Sequence, residues 1–343
     1  MTARGNSFDD VRIIAALVVL VAHSPLAYGV GGGGLFLGPF FLGSLAVEVF
    51  FAISGYLIAQ SWAADPDMPR FLARRALRLL PGLVAVVLVT MFAIGPAFTT
   101  LSLDDYFASR QTWAYLANIA LVLTPKLPGV FQSQPEPQLG VNPPLWSLAY
   151  EAAMYVALMA SSLLLPRAPR LVAPLMLAVG VLLLSGLGAL LPHGAHACFC
   201  FAVGFGLFQF RDSIAWRPDI GFVVFAALAI GPDSPELRLA TLAALAYTAV
   251  GVGRGASRPA RFVTRFGDLS YGVYIWAYPV QRVVNELLGL DSHWALSLAL
   301  CVLGTLPLAL LSWRFVERPA LALKPQRIRQ NLPAETEPAR TRL

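Results

Sequence analysis

Charge is what this sequence has least of. Only 13% of its 343 residues are charged and 57% are hydrophobic, where soluble domains carry about a quarter charged residues. That balance excludes an ordinary soluble globular protein and points to a polytopic membrane protein. Lysine is nearly missing: Lys126 and Lys324 stand against a formal total of 25 basic residues, the rest being arginine. Cysteine is scarce too. Cys198, Cys200 and Cys301 lie in apolar surroundings and lack the paired spacing of a zinc site. They read as packing residues, and His193 and His196 nearby are too weak a set to indicate a metal. The first apolar run carries a histidine and no small-residue cleavage pattern follows, so it reads as a retained span and not a cleaved signal. There is no tandem repeat and no soluble domain. The glycine run 31–34 lacks the strand–turn–helix context of a phosphate loop.

Long apolar stretches begin near residues 11, 40, 79, 145, 171, 196, 218, 237, 268 and 294. We expect an all-α integral membrane protein, a bundle of about ten transmembrane helices. With the N-terminus inside, the basic residues fall on inner segments except for Arg110, Lys126, Arg238 and the span-embedded Arg282. An eleventh crossing at 113–123 would turn the later basic loops outward, against the positive-inside rule. That segment is therefore expected to be half-inserted or interfacial, with both termini cytoplasmic in the inner membrane. Residues 1–330 read as one transmembrane domain and 331–343 as a short disordered tail. The longest connection, 99–144, is proline-rich, which in a compact bundle favours a functional or mobile role.

Five clusters could carry chemistry. Arg12 and His23 share the first span, eleven positions and about 16 Å apart along a helix, which puts the histidine near mid-bilayer. Neutral imidazole there suits a general base, the plain reading being a histidine satisfied by a neighbouring helix. Arg74, Arg75 and Arg78 either fork onto phosphates or simply anchor the inner face. Glu151, inside the apolar run 143–155, needs a partner, and by depth His23 could be that partner, with the carboxylate fixing its tautomer. Trp146 reads as an interfacial anchor, and Glu48 is a further buried acid. Ser54 and Gly55 allow close helix approach or line a site. Asp268 and Ser270 cap a helix whose Tyr271 and Tyr274 could touch substrate.

Taken together, these segments resemble the membrane-bound acyltransferase-3 family, which includes O-antigen and nodulation-factor acetyltransferases. The likeness spans about residues 8–319. It rests on Asp9, Arg12 and His23, on the block Phe50–Ile58, and on Arg75 with Arg78. Further matches are Trp146, Ser147, Leu148, Glu151 and Tyr155, then Ser270, Tyr271, Tyr274 and Trp276, and finally Glu317-Arg318-Pro319. Any one block is weak; together, in order and at matching spacing, they are specific. Ala277 stands where many members have histidine, so no catalysis is assigned there. Many members also append a hydrolase-like domain where this sequence has only its short tail.

The resemblance implies an acyl-CoA donor, acetyl-CoA first, and transfer to a hydroxyl of a glycan or glycolipid, with no metal. In that scheme Arg75 and Arg78, helped by Arg12, bind the CoA phosphates. His23 is the general base or acyl carrier, Glu151 orients it, and Ser54, Trp146, Ser147, Tyr271 and Tyr274 line the substrate site. Two other readings compete. A proton-coupled transporter or flippase could use His23 and Glu151 as a relay, but inverted half-repeats are missing from the sequence. A non-catalytic scaffold would have no use for an arginine pair and a buried base.

Overall fold

A computed structural model describes residues 7–28, 34–134, 140–165, 171–184, 194–255, 267–288 and 294–325. The tail 331–343 lies outside the described residues. Ten helices occupy the ten expected positions: α1 (Phe8–Tyr28), α2 (Leu42–Ala64), α3 (Met68–Val89), α7 (Trp146–Leu164), α8 (Val172–Leu184), α9 (Ala195–Gln209), α10 (Pro218–Ala229), α11 (Pro235–Arg254), α12 (Ser270–Leu288) and α13 (Trp294–Ser312). Between α3 and α7 lie α4 (Gly95–Phe98), α5 (Leu103–Ala108) and α6 (Arg110–Ala114). The only sheet among the described residues is a hairpin, β1 (Phe36–Leu37) against β2 (Phe40–Phe41), after α1. Four stretches are long and apolar enough to cross a bilayer: Leu42–Ala64, Met68–Phe98, Pro143–Leu164 and Trp294–Ala322. α8, α9 and α10 are shorter apolar helices. The protein is thus an all-helical integral membrane protein.

Two elements depart from simple spans. The third helix starts at Met68 and not near 79, because Asp67 accepts the Arg70 amide at 2.8 Å and Pro69 presets the first turn. The arginines therefore sit on the helix itself. Residues 113–123 form no long helix: α6 passes into a 3-10 turn, Tyr115–Ala120, which ends at Leu121 with φ +62°. The Asn118 side chain ties this segment down through the Tyr115 and Thr124 carbonyls and the Thr124 amide.

α2 is the centre of the bundle, packed on α9, α1 and α11. Gly55 faces the Phe201 carbonyl and Gly204 faces the Ala52 carbonyl, each where a Cβ would overlap backbone. Two glycines thus set the α2–α9 separation, as the small-residue reading of Ser54–Gly55 expected. The proline-rich connection also packs. Pro279 deprives the Ile275 carbonyl of its intrahelical donor, and the Asn142 side chain supplies one at 3.0 Å.

Candidate active site

The N-terminal ends of α1 and α12 meet the middle of α3 at one carboxylate that the sequence marked only as a helix cap. Asp268 Oδ2 accepts from Arg12 at 3.2 Å and from Arg78 at 2.5 Å. Its Oδ1 accepts the Ser270 hydroxyl at 2.6 Å and the Ser270 amide at 3.3 Å. Burial alone would raise its pKa. The guanidiniums of Arg78 and Arg12 and the Ser270 hydrogen bonds outweigh burial and hold it at about 2. Arg74 turns elsewhere, donating to Asp65 at 2.7 Å beside Arg70. Hydrogen bonds from Arg70 and Arg74 hold Asp65 at about 2 as well.

Arg75 differs from its neighbours. It makes no ion pair among the described residues, its Nε is buried without a hydrogen-bond partner, and its guanidinium lies 5.7 Å from the Phe71 ring. Of the arginines expected to hold a donor, Arg12 and Arg78 are already joined to Asp268 and Arg75 keeps its fork open.

Three cavities with shared lining residues follow one another from this end. The first, about 40 Å³, is lined by Arg12, Ser54, Ser147, Glu151, Tyr271 and Tyr274 among others. Glu151 accepts from Ser54 Oγ at 3.0 Å and from the Tyr155 hydroxyl. Tyr271 donates to the Leu79 carbonyl, while Tyr274 donates to the Pro144 carbonyl at 2.8 Å with Ser147 Oγ 2.7 Å from its oxygen. Val47 and Tyr274 also line the second cavity, about 190 Å³, together with His23, Glu48, Trp146 and His196. His196 in turn lines a third cavity of about 460 Å³.

His23 is held by its own helix. Its Nδ1 lies 2.8 Å from the Val19 carbonyl, which can only accept, so Nδ1 carries the proton and Nε2 keeps a lone pair. The ring stands edge-on to Phe41 and Tyr278, at 5.0 and 5.8 Å between centroids. Gly43 leaves room beside it, since a Cβ there would fall 2.8 Å from His23 Cε1. The expected His23–Glu151 pair is therefore not formed. The two side chains open on different cavities, and a backbone carbonyl sets the tautomer in place of a carboxylate. Depth along two helices located both residues but carried no information on which way each helix was rotated.

The acid that shares the histidine's cavity is Glu48, 4% exposed. Its Oε1 is 3.8 Å from His196 Nδ1, and its Oε2 is buried with no partner. Trp146, expected as an interfacial anchor, lines the same cavity. The sequence singled out Glu48 and His196, but nothing in their spacing joined either to His23.

The arrangement suits a reaction between a polyanionic molecule at the arginine end and a hydroxyl reaching a neutral imidazole from the far side. Comparison with known proteins identifies the family. An acyltransferase domain model matches residues 6–314. The chain is 27% identical to an O-acetyl transferase of Shigella phage Sf6, over 92% of this chain and 96% of that one. It is 25% identical to nodulation protein 10 of Rhizobium leguminosarum, over 95% and 96%. Against the peptidoglycan O-acetyltransferase OatA of Listeria monocytogenes the identity is 24%, over 91% of this chain and 55% of that protein. No solved structure matches. A family model covering nearly the whole chain makes it a member of the acyltransferase-3 family, a membrane O-acyltransferase.

Proposed function

We propose that this protein transfers an acetyl group from acetyl-CoA, bound at the cytoplasmic end, to a hydroxyl of a glycan or lipid-linked sugar reached from the other face of the inner membrane. The observation that carries this reading is that the cavity at the arginine end shares Val47 and Tyr274 with the His23 cavity, which in turn shares His196 with a larger one. Arg75 offers the open fork for a donor phosphate, and Arg78 and Arg12 add the N–H groups not spent on Asp268.

With Nδ1 protonated, His23 Nε2 accepts the proton of the acceptor hydroxyl as its oxygen attacks the thioester carbonyl. The C–S bond breaks, and the imidazolium returns the proton to the departing thiolate. The same nitrogen could instead carry the acyl group transiently, the hydroxyl attacking in a second step. In both versions Glu151 belongs to the first cavity, as the hydrogen-bonded counter-charge to the arginines, and not to the histidine. A proton-relay transporter draws no support from the geometry, since His23 and Glu151 make no direct contact.

The test is acetyl-CoA turnover by purified protein, with His23→Ala beside wild type. Turnover should fall at least about a hundredfold while the protein inserts and purifies normally. Near wild-type transfer by His23→Ala would move the base elsewhere. Glu151→Gln supplies a second check: with no bond between the two residues, the acidic limb of the pH–rate profile should stay where wild type has it.

A further inference from the structure

The third cavity has no role in the donor chemistry. It lies at the turn between α10 and α11, lined by His196, Asp233, Ser234, Glu236 and Arg238 with Val181 and Leu239 as apolar wall. This is the histidine end of the bundle, because Gly38 of the hairpin that follows α1 packs on the Ala229 carbonyl at the end of α10. Its volume, about 460 Å³, is in the range of small-ligand sites. Asp233 and Arg238 hold each other through two bonds of 2.5 Å, yet both stay open to solvent, at 47% and 40% side-chain exposure. Glu236 is exposed with no ion pair among the described residues. Carboxylates that accept, a guanidinium that donates and a small apolar wall are the groups that bind a polyhydroxylated ring.

The second observation lies one step inward. His196 lines this cavity and the His23 cavity alike, and its side chain is 41% exposed. Behind it is Glu48, whose Oε2 is buried and lacks a donor. A buried carboxylate oxygen without a partner is costly, and a hydroxyl passed beyond His196 into the His23 cavity, which Glu48 lines, would supply the missing bond.

We propose that the α10–α11 cavity is the acceptor site, which binds a sugar ring, and that His196 and Glu48 pass one of its hydroxyls to the His23 cavity. The proposal rests on the acyltransferase mechanism above and names its second substrate's entrance. His196 and Glu48 are positioning residues; His23 keeps the chemistry.

The test separates transfer from donor turnover. Glu236→Cys is made in the full-length protein, whose three described cysteines are buried, and treated with a membrane-impermeant sulfonatoethyl thiosulfonate that restores the negative charge but adds bulk. Membranes bearing the endogenous glycan receive radiolabelled acetyl-CoA. Glycan labelling and acetyl-CoA hydrolysis are read together, and each treated sample is compared with its untreated twin. Modification should lower the ratio of transfer to hydrolysis at least about fivefold. His196→Ala should lower the same ratio, and Glu48→Gln, which keeps the shape, should lower it less than Glu48→Ala. A ratio unchanged by modification overturns the proposal, as does equal loss of both activities. Wild-type membranes that neither hydrolyse nor transfer acetyl-CoA would instead overturn the acyltransferase mechanism.

Discussion

At Asp268 a single carboxylate caps α12 through Ser270 and gathers Arg12 from α1 and Arg78 from α3. Its pKa in the folded protein, about 2, lies below the unfolded value of 3.8. A depressed carboxylate stabilises the fold above its unfolded pKa, and that contribution disappears as pH falls from about 4 through about 2. A shift of this size corresponds to roughly 2 kcal/mol, which Asp268→Asn should forfeit at neutral pH. Detergent-solubilised Asp268→Asn should melt below wild type at pH 7, the gap closing as both are acidified. A gap that persists at the acid end would mean that the charge is not what matters. Arg75 makes a different prediction, because its fork is uncommitted. Arg75→Gln should raise the Michaelis constant for acetyl-CoA at least about tenfold, since a charge-assisted bond is worth about 1.5–3 kcal/mol. Arg75→Lys should recover only part of this. Arg74→Gln, which loses a bond to Asp65 and none to a donor, should leave that constant near wild type. Equal effects at 74 and 75 would reduce both to inner-face anchors.

Among the helices, α2 and α9 make the closest approach, and the two glycines there set it. Gly204→Val would drive a side chain into the Ala52 backbone and should cost about 1–3 kcal/mol, read as a lower melting temperature in detergent. Gly206→Val, where the nearest neighbour is the Ala173 Cβ at 3.8 Å, should be tolerated. If the two substitutions prove equal, helix propensity and not contact governs this pair. Ten helix positions were legible in the apolar runs, though only four stretches are long and apolar enough to cross a bilayer, and the break at 113–123 was legible in the distribution of charge. The start of α3 was not, because Arg70 to Arg78 dilute the hydropathy of a helix that Asp67 nevertheless initiates. The site was half legible. Local motifs brought out Arg12, His23, Arg75, Arg78, Glu151 and Tyr274, because each is costly or conspicuous where it stands. Which of them meet depends on helix rotation. Asp268 lies 256 residues from Arg12 in sequence, and nothing local to either position announces the contact.

Taken whole, the molecule is bipolar. The arginine cluster occupies the end that holds the N-termini of α1, α3 and α12, and the wide cavity occupies the end of the hairpin and the α10–α11 turn. If the first end is cytoplasmic, a cysteine at Glu236 should react with impermeant reagents from outside and a cysteine at Asp67, in the α2–α3 turn, only from inside. Outside labelling at position 67 would overturn that orientation.

The smallest of the three chambers is the first, and Tyr274 lines both it and the second. About 40 Å³ is room for a few water molecules. If the donor is the acyl-CoA proposed above, its pantetheine arm has to move the Tyr274 ring as it enters, and the arm then fills the space the ring gives up. On that reading the donor closes the passage while it uses it, so that an acceptor arriving from the other side would meet the thioester without a water path opening behind it.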